Sequence, residues 1–267
     1  MGEQVQIALV QQASSLEPAL NLAAVRELGH HPAVAEADLV VLPEAFARDF
    51  GSPRDQLAKF AEPLTGPFAT AVEEFASDQR TVVAGMFEQS DDPDRPFNTL
   101  LVRGAVHAEY RKIHLYDSFG YRESDRLTPG GWTPVTFRLG GFTVGLLTCY
   151  DLRFPELARA LVDQGADLLV IPAAWVAGRD EDEHRLKVHH WETLVRARAI
   201  ENVCYVAAVG QPGPRYTGHS MVVDPRGEVV VRAGAGEQVL SALLDPDAVA
   251  TARAANPSLA NRRPTAG

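Results

Sequence analysis

Three residues of reactive types each follow a predicted strand. Cys149 and Glu44 come directly after apolar runs, and Lys112 follows a third strand-like segment. A thiol can act as a nucleophile, a carboxylate can take its proton, and an ammonium can stabilise a developing oxyanion. The sequence therefore indicates a nucleophilic site in which side chains from separate strand ends meet in one crevice.

Cys149 lies on the predicted turn between a strand and a helix. The apolar residues 143–148 precede it, and Pro155, a residue favoured in the first turn of a helix, follows shortly after. On such a turn the thiol faces a helix N-terminus, which favours the thiolate, and backbone N–H groups just after it can donate to an oxyanion. The alternative is a buried, inert cysteine, which is the usual fate of a lone Cys.

Glu44 and Lys112 each have a chemical and a structural interpretation. A carboxylate directly after the buried run 38–42 is partly desolvated, which suits Glu44 to general-base work, but it could also be a helix N-terminal acid facing solvent. Only three of the 25 Lys and Arg residues are lysine. Lys112 can hold an oxyanion at one point, which a bulky guanidinium cannot, or it can be an ordinary surface cation.

Other polar residues give weaker signals. Glu123 lies in a polar loop, where most acids have no chemical role. The histidines His184, His189 and His190 lack the His-Glu-x-x-His spacing and do not stack on one helix face, so we expect no metal site. A hydrolase that pairs Cys149 with His114 or His190 as base is a separate hypothesis.

The rest of the chain alternates strand and helix patterns. Strands are predicted at 5–10, 38–42, 81–87, 98–102, 106–110, 135–139, 142–147, 167–171, 204–209, 219–223, 228–231 and 238–243, and helices at 17–27, 67–77, 155–164 and 183–202. In the last helix Trp191, Leu194, Val195 and Arg198 share one face, and Glu201 is placed to pair with Arg198. We expect an α/β fold with mixed sheets, as one domain over residues 1–254 followed by a tail at 255–267.

Composition excludes several classes of protein. Of 267 residues, 46% are hydrophobic, so the chain can bury a large core, and the net charge of −10 repels nucleic acid. We expect no membrane partner, since no apolar run is long enough to cross a bilayer and no signal-peptide pattern is present. Two cysteines make no disulfide framework, which favours the cytoplasm. Nucleotide-binding glycine motifs are absent.

Six segments together resemble the nitrilase, or carbon–nitrogen hydrolase, superfamily. Leu-Pro-Glu ending at Glu44, Tyr-Arg-Lys-Ile-His-Leu around Lys112 and Leu-Thr-Cys-Tyr-Asp-Leu-Arg-Phe-Pro-Glu around Cys149 match the family's three catalytic blocks in order. Asn98-Thr99 and the segments 190–202 and 218–227 extend the similarity over roughly residues 5–245.

The resemblance implies a four-layer αββα sandwich and a thioester mechanism that releases ammonia or an amine and a carboxylic acid. It implies Cys149 as nucleophile and Glu44 as general base and acid. Lys112 and the backbone N–H of Tyr150 would stabilise the oxyanion, and Glu123 would be the second glutamate, which orients Lys112. The family needs no metal or organic cofactor. Its sandwiches pack as dimers, so we expect a homodimer or a higher homo-oligomer.

The block after Cys149 is most similar to ω-amidases and deaminated glutathione amidases, which cleave small amides that carry carboxylates. Arg153 could hold such a carboxylate by a bidentate pair, or it could pair with Asp151 or Glu156 and only shape the turn. Loop 118–122, at the expected mouth of the site, is shorter than in those amidases. The alternatives are an aliphatic amidase or N-carbamoyl amidohydrolase of the same superfamily and, from another class, a catalytically silent binding protein with this fold.

Overall fold

Two six-stranded sheets form the centre of the computed structural model, which describes residues 2–263. The strands in chain order are β1 (Val5–Gln11), β2 (Leu39–Val41), β3 (Thr81–Glu88), β4 (Phe97–Arg103), β5 (Ala108–Arg111), β6 (Asp117–Ser118), β7 (Tyr121–Arg122), β8 (Thr136–Leu139), β9 (Phe142–Leu146), β10 (Leu168–Ala173), β11 (Tyr205–Gly210), β12 (Met221–Val223), β13 (Val229–Arg232) and β14 (Gln238–Leu244). The first sheet has the order β14-β1-β2-β3-β4-β5 and the second β13-β12-β11-β10-β9-β8, while β6 and β7 form a separate hairpin.

Both sheets are mixed, as the sequence predicted. Strands β1, β2 and β3 run parallel, as do β9, β10 and β11, and the outer strands of each sheet are antiparallel. Parallel neighbours need crossover segments, and helices or long loops make these connections in both halves of the chain.

Side chains of β1 alternate between two hydrophobic cores. Ile7 and Leu9 point towards the second sheet, whereas Ala8 and Val10 point towards helices on the outer face, and β2 repeats the pattern. A strand covered on both faces reads as a continuous apolar run. With helices also packed outside the second sheet, the molecule has the four αββα layers of the nitrilase fold.

Proline starts most of the helices. The helices are α1 (Pro18–Glu27), α2 (Pro32–Ala35), α3 (Pro67–Phe75), α4 (Pro155–Asp163), α5 (Glu181–Asn202) and α6 (Pro246–Ala255). Helix α5 has no such proline; its N-cap Asp180 instead accepts a hydrogen bond from the Glu183 N–H at 2.8 Å. Our sequence analysis missed α6, although Asp245, whose side chain caps it, followed by Pro246 was an available start signal.

Helix α5 is anchored to the segment after Cys149. Trp191, Val195 and Arg198 are buried on its predicted inner face. Arg198 pairs with Glu201, as expected, and its Nε donates to the Leu152 carbonyl at 3.0 Å. The helix therefore helps to fix the turn that carries the thiol.

The C-terminal residues return to the body of the protein. After α6, Arg262 forms an ion pair with Asp163 at the end of α4. Residues 264–267 of the predicted tail lie outside the described residues. Within residues 2–263, no helix combines the length and the apolar character needed to span a bilayer.

Candidate active site

The reactive residues meet at one edge of the two packed sheets. Glu44 follows β2 and Lys112 follows β5 in the first sheet, while Cys149 follows β9 in the second. All three, together with Glu123, line a cavity of about 240 Å³. The two glutamates and the lysine are no more than 2% exposed. Glu44 is therefore not an acid that faces solvent, and Lys112 is not an ordinary surface cation.

Cys149 sits on a constrained turn. Its backbone is left-handed (φ 47°), which is costly for a residue with a side chain, and it begins a 3₁₀ turn, Cys149–Arg153, before α4 starts at Pro155. The buried Asp151 carboxylate holds this turn by accepting from the Thr148 N–H at 2.9 Å and the Tyr110 hydroxyl at 2.6 Å. Because Tyr110 belongs to β5, this carboxylate ties the thiol's turn to the strand that precedes Lys112.

Glu44 is fixed by three hydrogen-bond donors. Its Oε1 accepts from Asn98 Nδ2 at 2.7 Å and from Lys112 Nζ at 2.9 Å, and its Oε2 accepts from the Ala174 N–H at 2.7 Å. These donors come from both sheets, so the carboxylate position depends on how the sheets pack. Our sequence analysis did not assign Ala174, although it follows the apolar strand β10 as Cys149 follows β9.

Lys112 bridges the two glutamates. Its Nζ lies 2.9 Å from Glu44 Oε1 and 2.8 Å from Glu123 Oε2, which also accepts the Tyr116 N–H at 2.6 Å. Burial lowers the pKa of Lys112, but the charges of Glu123 and Glu44 outweigh it and raise this pKa well above its usual range. Burial also raises the pKa of Glu123, against the opposing charge of Lys112. The lysine therefore remains an ammonium ion.

The surroundings of Cys149 favour the protonated thiol over the thiolate. Burial raises its pKa well above the usual range, the Glu44 charge raises it further, and the Lys112 charge opposes both without cancelling them. The ammonium of Lys112 lowers this pKa, as expected from the sequence, but desolvation of the buried sulfur outweighs it. Glu44 is therefore a carboxylate that lies close enough to Cys149 to influence its thiol.

Arg153 is not engaged by the acids beside it in sequence. In residues 2–263 it forms no ion pair with Asp151 or Glu156, so the structure contains neither pairing proposed by the turn-shaping alternative. Its guanidinium instead lies 4.8 Å from the ring centroid of Trp175, on the wall of the cavity. Its charge remains available to a ligand.

The histidines lie away from the thiol. His114 Nδ1 is 2.7 Å from Asp151 Oδ1 and its ring stacks on Phe154, and no histidine of the described chain lines the cavity. The cysteine–histidine hypothesis thus lacks its base. His189 and His190 are neighbours on α5, and residues 2–263 contain no cluster of three or more His, Cys, Asp or Glu side chains arranged to hold a metal ion.

The short loop noted in the sequence forms the mouth of the cavity. Phe119 and Gly120 connect β6 to β7 with positive φ values of 53° and 78°, the pattern of a tight type I′ hairpin turn. Phe119 and Tyr121 both line the cavity, and Phe119 is half exposed. The hairpin therefore shapes the entrance.

Gly85 in β3 permits the close approach of the Glu44 backbone. A Cβ at this position would lie 2.4 Å from the Ala45 nitrogen and 2.8 Å from the Glu44 Cα. We expect Gly85→Ala to displace Glu44, destabilise the fold by about 1–3 kcal/mol and lower kcat about 10²-fold, since small misplacements of catalytic groups are costly. Thermal unfolding and steady-state kinetics measure the two effects. Gly131→Ala is the matched control because open space surrounds that position; equal behaviour of the two variants would contradict the prediction.

Comparison with known families decides the classification. The carbon-nitrogen hydrolase family model matches residues 6–254. The chain belongs to the carbon–nitrogen hydrolase family. Similar curated proteins include a hydrolase of Mycobacterium tuberculosis (42% identity over 93% of this chain and 92% of the relative) and the deaminated glutathione amidase of Escherichia coli O157:H7 (38%, covering 85% and 86%). The ω-amidase NIT3 of Saccharomyces cerevisiae is 32% identical over 98% of this chain and 94% of its own.

Solved structures of this family share the architecture. XC1258 from Xanthomonas campestris, which carries an arsenic adduct in its active site, matches with a TM-score of 0.83 and 29% identity over 99% of both chains. A mutant amidase from Nesterenkonia sp. AN1, with the acetamide moiety of fluoroacetamide on its active-site cysteine, matches with a TM-score of 0.78 and 27% identity over 98% of this chain and 95% of that one. The protein is an enzyme, a carbon–nitrogen hydrolase of the amidase type.

Proposed function

We propose that this enzyme hydrolyses a small carboxylate-bearing amide through a thioester on Cys149. The observation that carries the proposal is the buried Glu44–Lys112–Glu123 network beside the Cys149 thiol in one cavity. This arrangement supplies a nucleophile, a base and a fixed cation, which are the groups that acyl transfer requires. The amidase-named relatives support the same chemistry.

In the acylation half, Glu44 takes the proton of the Cys149 thiol while the sulfur attacks the amide carbon. The resulting oxyanion receives charge stabilisation from the Lys112 ammonium and a hydrogen bond from the Tyr150 N–H, which is in the first turn of the 3₁₀ segment, where N–H groups have no partner within the turn. The carbon–nitrogen bond then breaks. Glu44 returns its proton to the leaving nitrogen, and ammonia or an amine departs.

In the deacylation half, Glu44 takes a proton from water, and the resulting hydroxide attacks the thioester carbon. Collapse of this second tetrahedral intermediate breaks the carbon–sulfur bond and releases the carboxylic acid. The sulfur recovers a proton from Glu44, which restores the resting thiol. Glu123 remains bound to Lys112 throughout and orients the ammonium. In both halves of the reaction, Glu44 carries out the proton transfers.

Arg153 supports a substrate that carries a carboxylate. A cation on the cavity wall without a protein carboxylate is suited to a carboxylate on the substrate. The test is a panel of amides assayed for ammonia release, with Cys149→Ala as the blank. Turnover of short ω-carbamoyl carboxylic acids supports the proposal. Inert carboxylate amides alongside active neutral amides or carbamoyl amines would instead indicate an aliphatic amidase or an N-carbamoyl amidohydrolase.

Lys112→Ala and His114→Ala separate this mechanism from one that uses histidine. We expect loss of Lys112 to lower kcat about 10²-fold or more, because an oxyanion-stabilising group of this kind contributes that much. His114 lies outside the cavity, so its replacement is expected to cost less than about tenfold. Steady-state kinetics and thermal unfolding of both variants make the comparison, and a larger loss for His114→Ala would contradict the assignment.

We also propose that the enzyme works as a cytoplasmic homodimer built from one catalytic domain. Both cysteines, Cys149 and Cys204, are free and buried, as expected in a reducing compartment. The exposed apolar side chains of Ile200 and Val230 offer contact surface for a second copy. Light scattering on the purified protein tests the dimer, and a monomer at all concentrations would contradict it.

A further inference from the structure

Lys187 of α5 is a buried lysine at the wall of the catalytic cavity. It is 3% exposed, its Nζ donates to the Tyr116 hydroxyl at 3.0 Å, and it lies 3.8 Å from the ring centroid of Phe119. The Trp175 Nε1–H donates to its carbonyl at 3.0 Å. The ammonium is therefore held in place, facing the same space as Cys149.

Lys187 differs from the other buried cations of the described chain in having no carboxylate partner. Five cationic side chains are buried in residues 2–263, and four of them form ion pairs with carboxylates: Arg48, Arg103, Lys112 and Arg198. The nearest acid in sequence to Lys187, Glu183 one turn earlier, pairs with Arg179 instead. A buried charge without a counter-ion is costly, so this exception calls for a ligand.

Arg153 adds a second unneutralised cation to the same wall. Its guanidinium lies over Trp175, and its buried Nε has no hydrogen-bond partner in the described chain. Burial lowers the pKa of Lys187, and the charge of Arg153 lowers it further, against the opposing charge of Glu183. An anion bound between the two cations would relieve this repulsion and satisfy both donors.

We propose that Lys187 is a specificity-determining residue that binds the substrate carboxylate together with Arg153. The inference rests on the proposed function and adds a second residue to its recognition of the substrate. It also explains why this position holds lysine in a chain that otherwise uses arginine for nearly all its cations. A compact ammonium fits between Tyr116 and Phe119 and still presents a proton to the ligand.

The test compares two amides of equal carbon-chain length that differ only in the end group, a carboxylate in 4-carbamoylbutanoate and a methyl group in pentanamide. For Lys187→Met we expect KM for 4-carbamoylbutanoate to rise about 10- to 100-fold, the value of a charge-assisted hydrogen bond, with kcat changed less than about threefold. The kcat/KM for pentanamide stays within about threefold. Lys59→Met, which removes an exposed lysine that does not line the cavity, is the matched control.

Two results would overturn the inference. An unchanged KM for 4-carbamoylbutanoate would show that Lys187 does not touch the carboxylate. An equal loss of kcat/KM for both amides would show that the lysine only supports the β6–β7 hairpin through its contacts with Tyr116 and Phe119. Thermal unfolding of each variant shows whether the fold persists.

Isothermal titration calorimetry measures the binding affinity directly and does not require turnover. In a Cys149→Ala background, Lys187→Met is expected to weaken binding of 4-carbamoylbutanoate at least about tenfold, and equal dissociation constants would overturn the inference. An enzyme that releases ammonia from no carboxylate amide would contradict the proposed function, while this binding measurement still decides the role of Lys187. Combining Arg153→Met with Lys187→Met tests whether both cations bind the same carboxylate. If the fold-losses in affinity of the two single variants multiply in the double variant, the two cations bind separate groups and the inference is overturned.

Discussion

We expect Cys149→Ala to abolish amide hydrolysis, with kcat reduced on the order of 10⁴-fold or more, because under the proposed mechanism loss of the covalent nucleophile removes the reaction path itself. The variant keeps its fold, since the turn is held by the Asp151 carboxylate through Thr148 and Tyr110 and not by the sulfur. Ammonia release measures the loss. Intact-protein mass spectrometry after treatment with 2-chloroacetamide is expected to show one carbamidomethyl group on the wild type and none on the variant.

Cys204 is the matched control for this experiment. It is fully buried outside the cavity, and burial raises the pKa of its thiol to about 12, so it is an inert structural cysteine. Cys204→Ala is expected to keep kcat within about twofold and to lose about 1 kcal/mol of stability, as for a small cavity. Substantial hydrolysis by Cys149→Ala, or labelling of Cys204 in place of Cys149, would remove the basis of the thioester mechanism.

We expect Glu44→Gln to lower kcat by about 10³-fold or more, because under the proposed mechanism Glu44 accepts the thiol proton, an amide cannot do so, and general-base catalysis commonly contributes up to about 10⁴-fold. The raised pKa of Cys149, caused mainly by burial, leaves little thiolate at neutral pH once this base is absent. The residual rate is expected to rise about tenfold per pH unit, since the thiolate fraction grows in that proportion below the thiol pKa. Initial rates across a pH series measure both effects.

A control accompanies the Glu44 variant because its side chain accepts three hydrogen bonds. Glutamine has one acceptor oxygen, so it cannot accept from the Ala174 N–H and from both Asn98 and Lys112. At least one of these donors loses its partner, at a cost of about 1–3 kcal/mol. Thermal unfolding separates this loss from the catalytic one. Activity within tenfold of the wild type, or a residual rate independent of pH, would show that Glu44 is not the base.

Local sequence rules predicted the elements that carry the site. The alternating apolar pattern of β1 and the run that forms β2 gave strands within one or two residues of their observed bounds, because both faces of these strands are buried. Pro155 marked the start of α4 correctly. Helix α6 was missed because its alanine-rich sequence has little apolar periodicity, so only its Asp245 cap and Pro246 marked it.

The pKa values and ion pairs of the site residues were harder to predict than the elements that carry them. The sequence correctly indicated that the neighbouring ammonium lowers the pKa of Cys149, but it did not reveal the desolvation of the buried sulfur, which raises this pKa by more. For a similar reason, the sequence left two alternatives for Arg153 and indicated no role for Lys187. Whether a cation has a carboxylate partner depends on residues distant in sequence, and no spacing rule reports it.

The sequence by itself determined which residues could react, which strands they follow and which family the chain belongs to, because strand periodicity, turn chemistry and family motifs are local properties. Only the tertiary structure decided how these groups act on one another. Glu44 is held by donors from two sheets, Lys112 lies between two glutamates, and Lys187 lacks a counter-ion. Such electrostatic effects depend on distance and burial, and these exist only once the two sheets have packed.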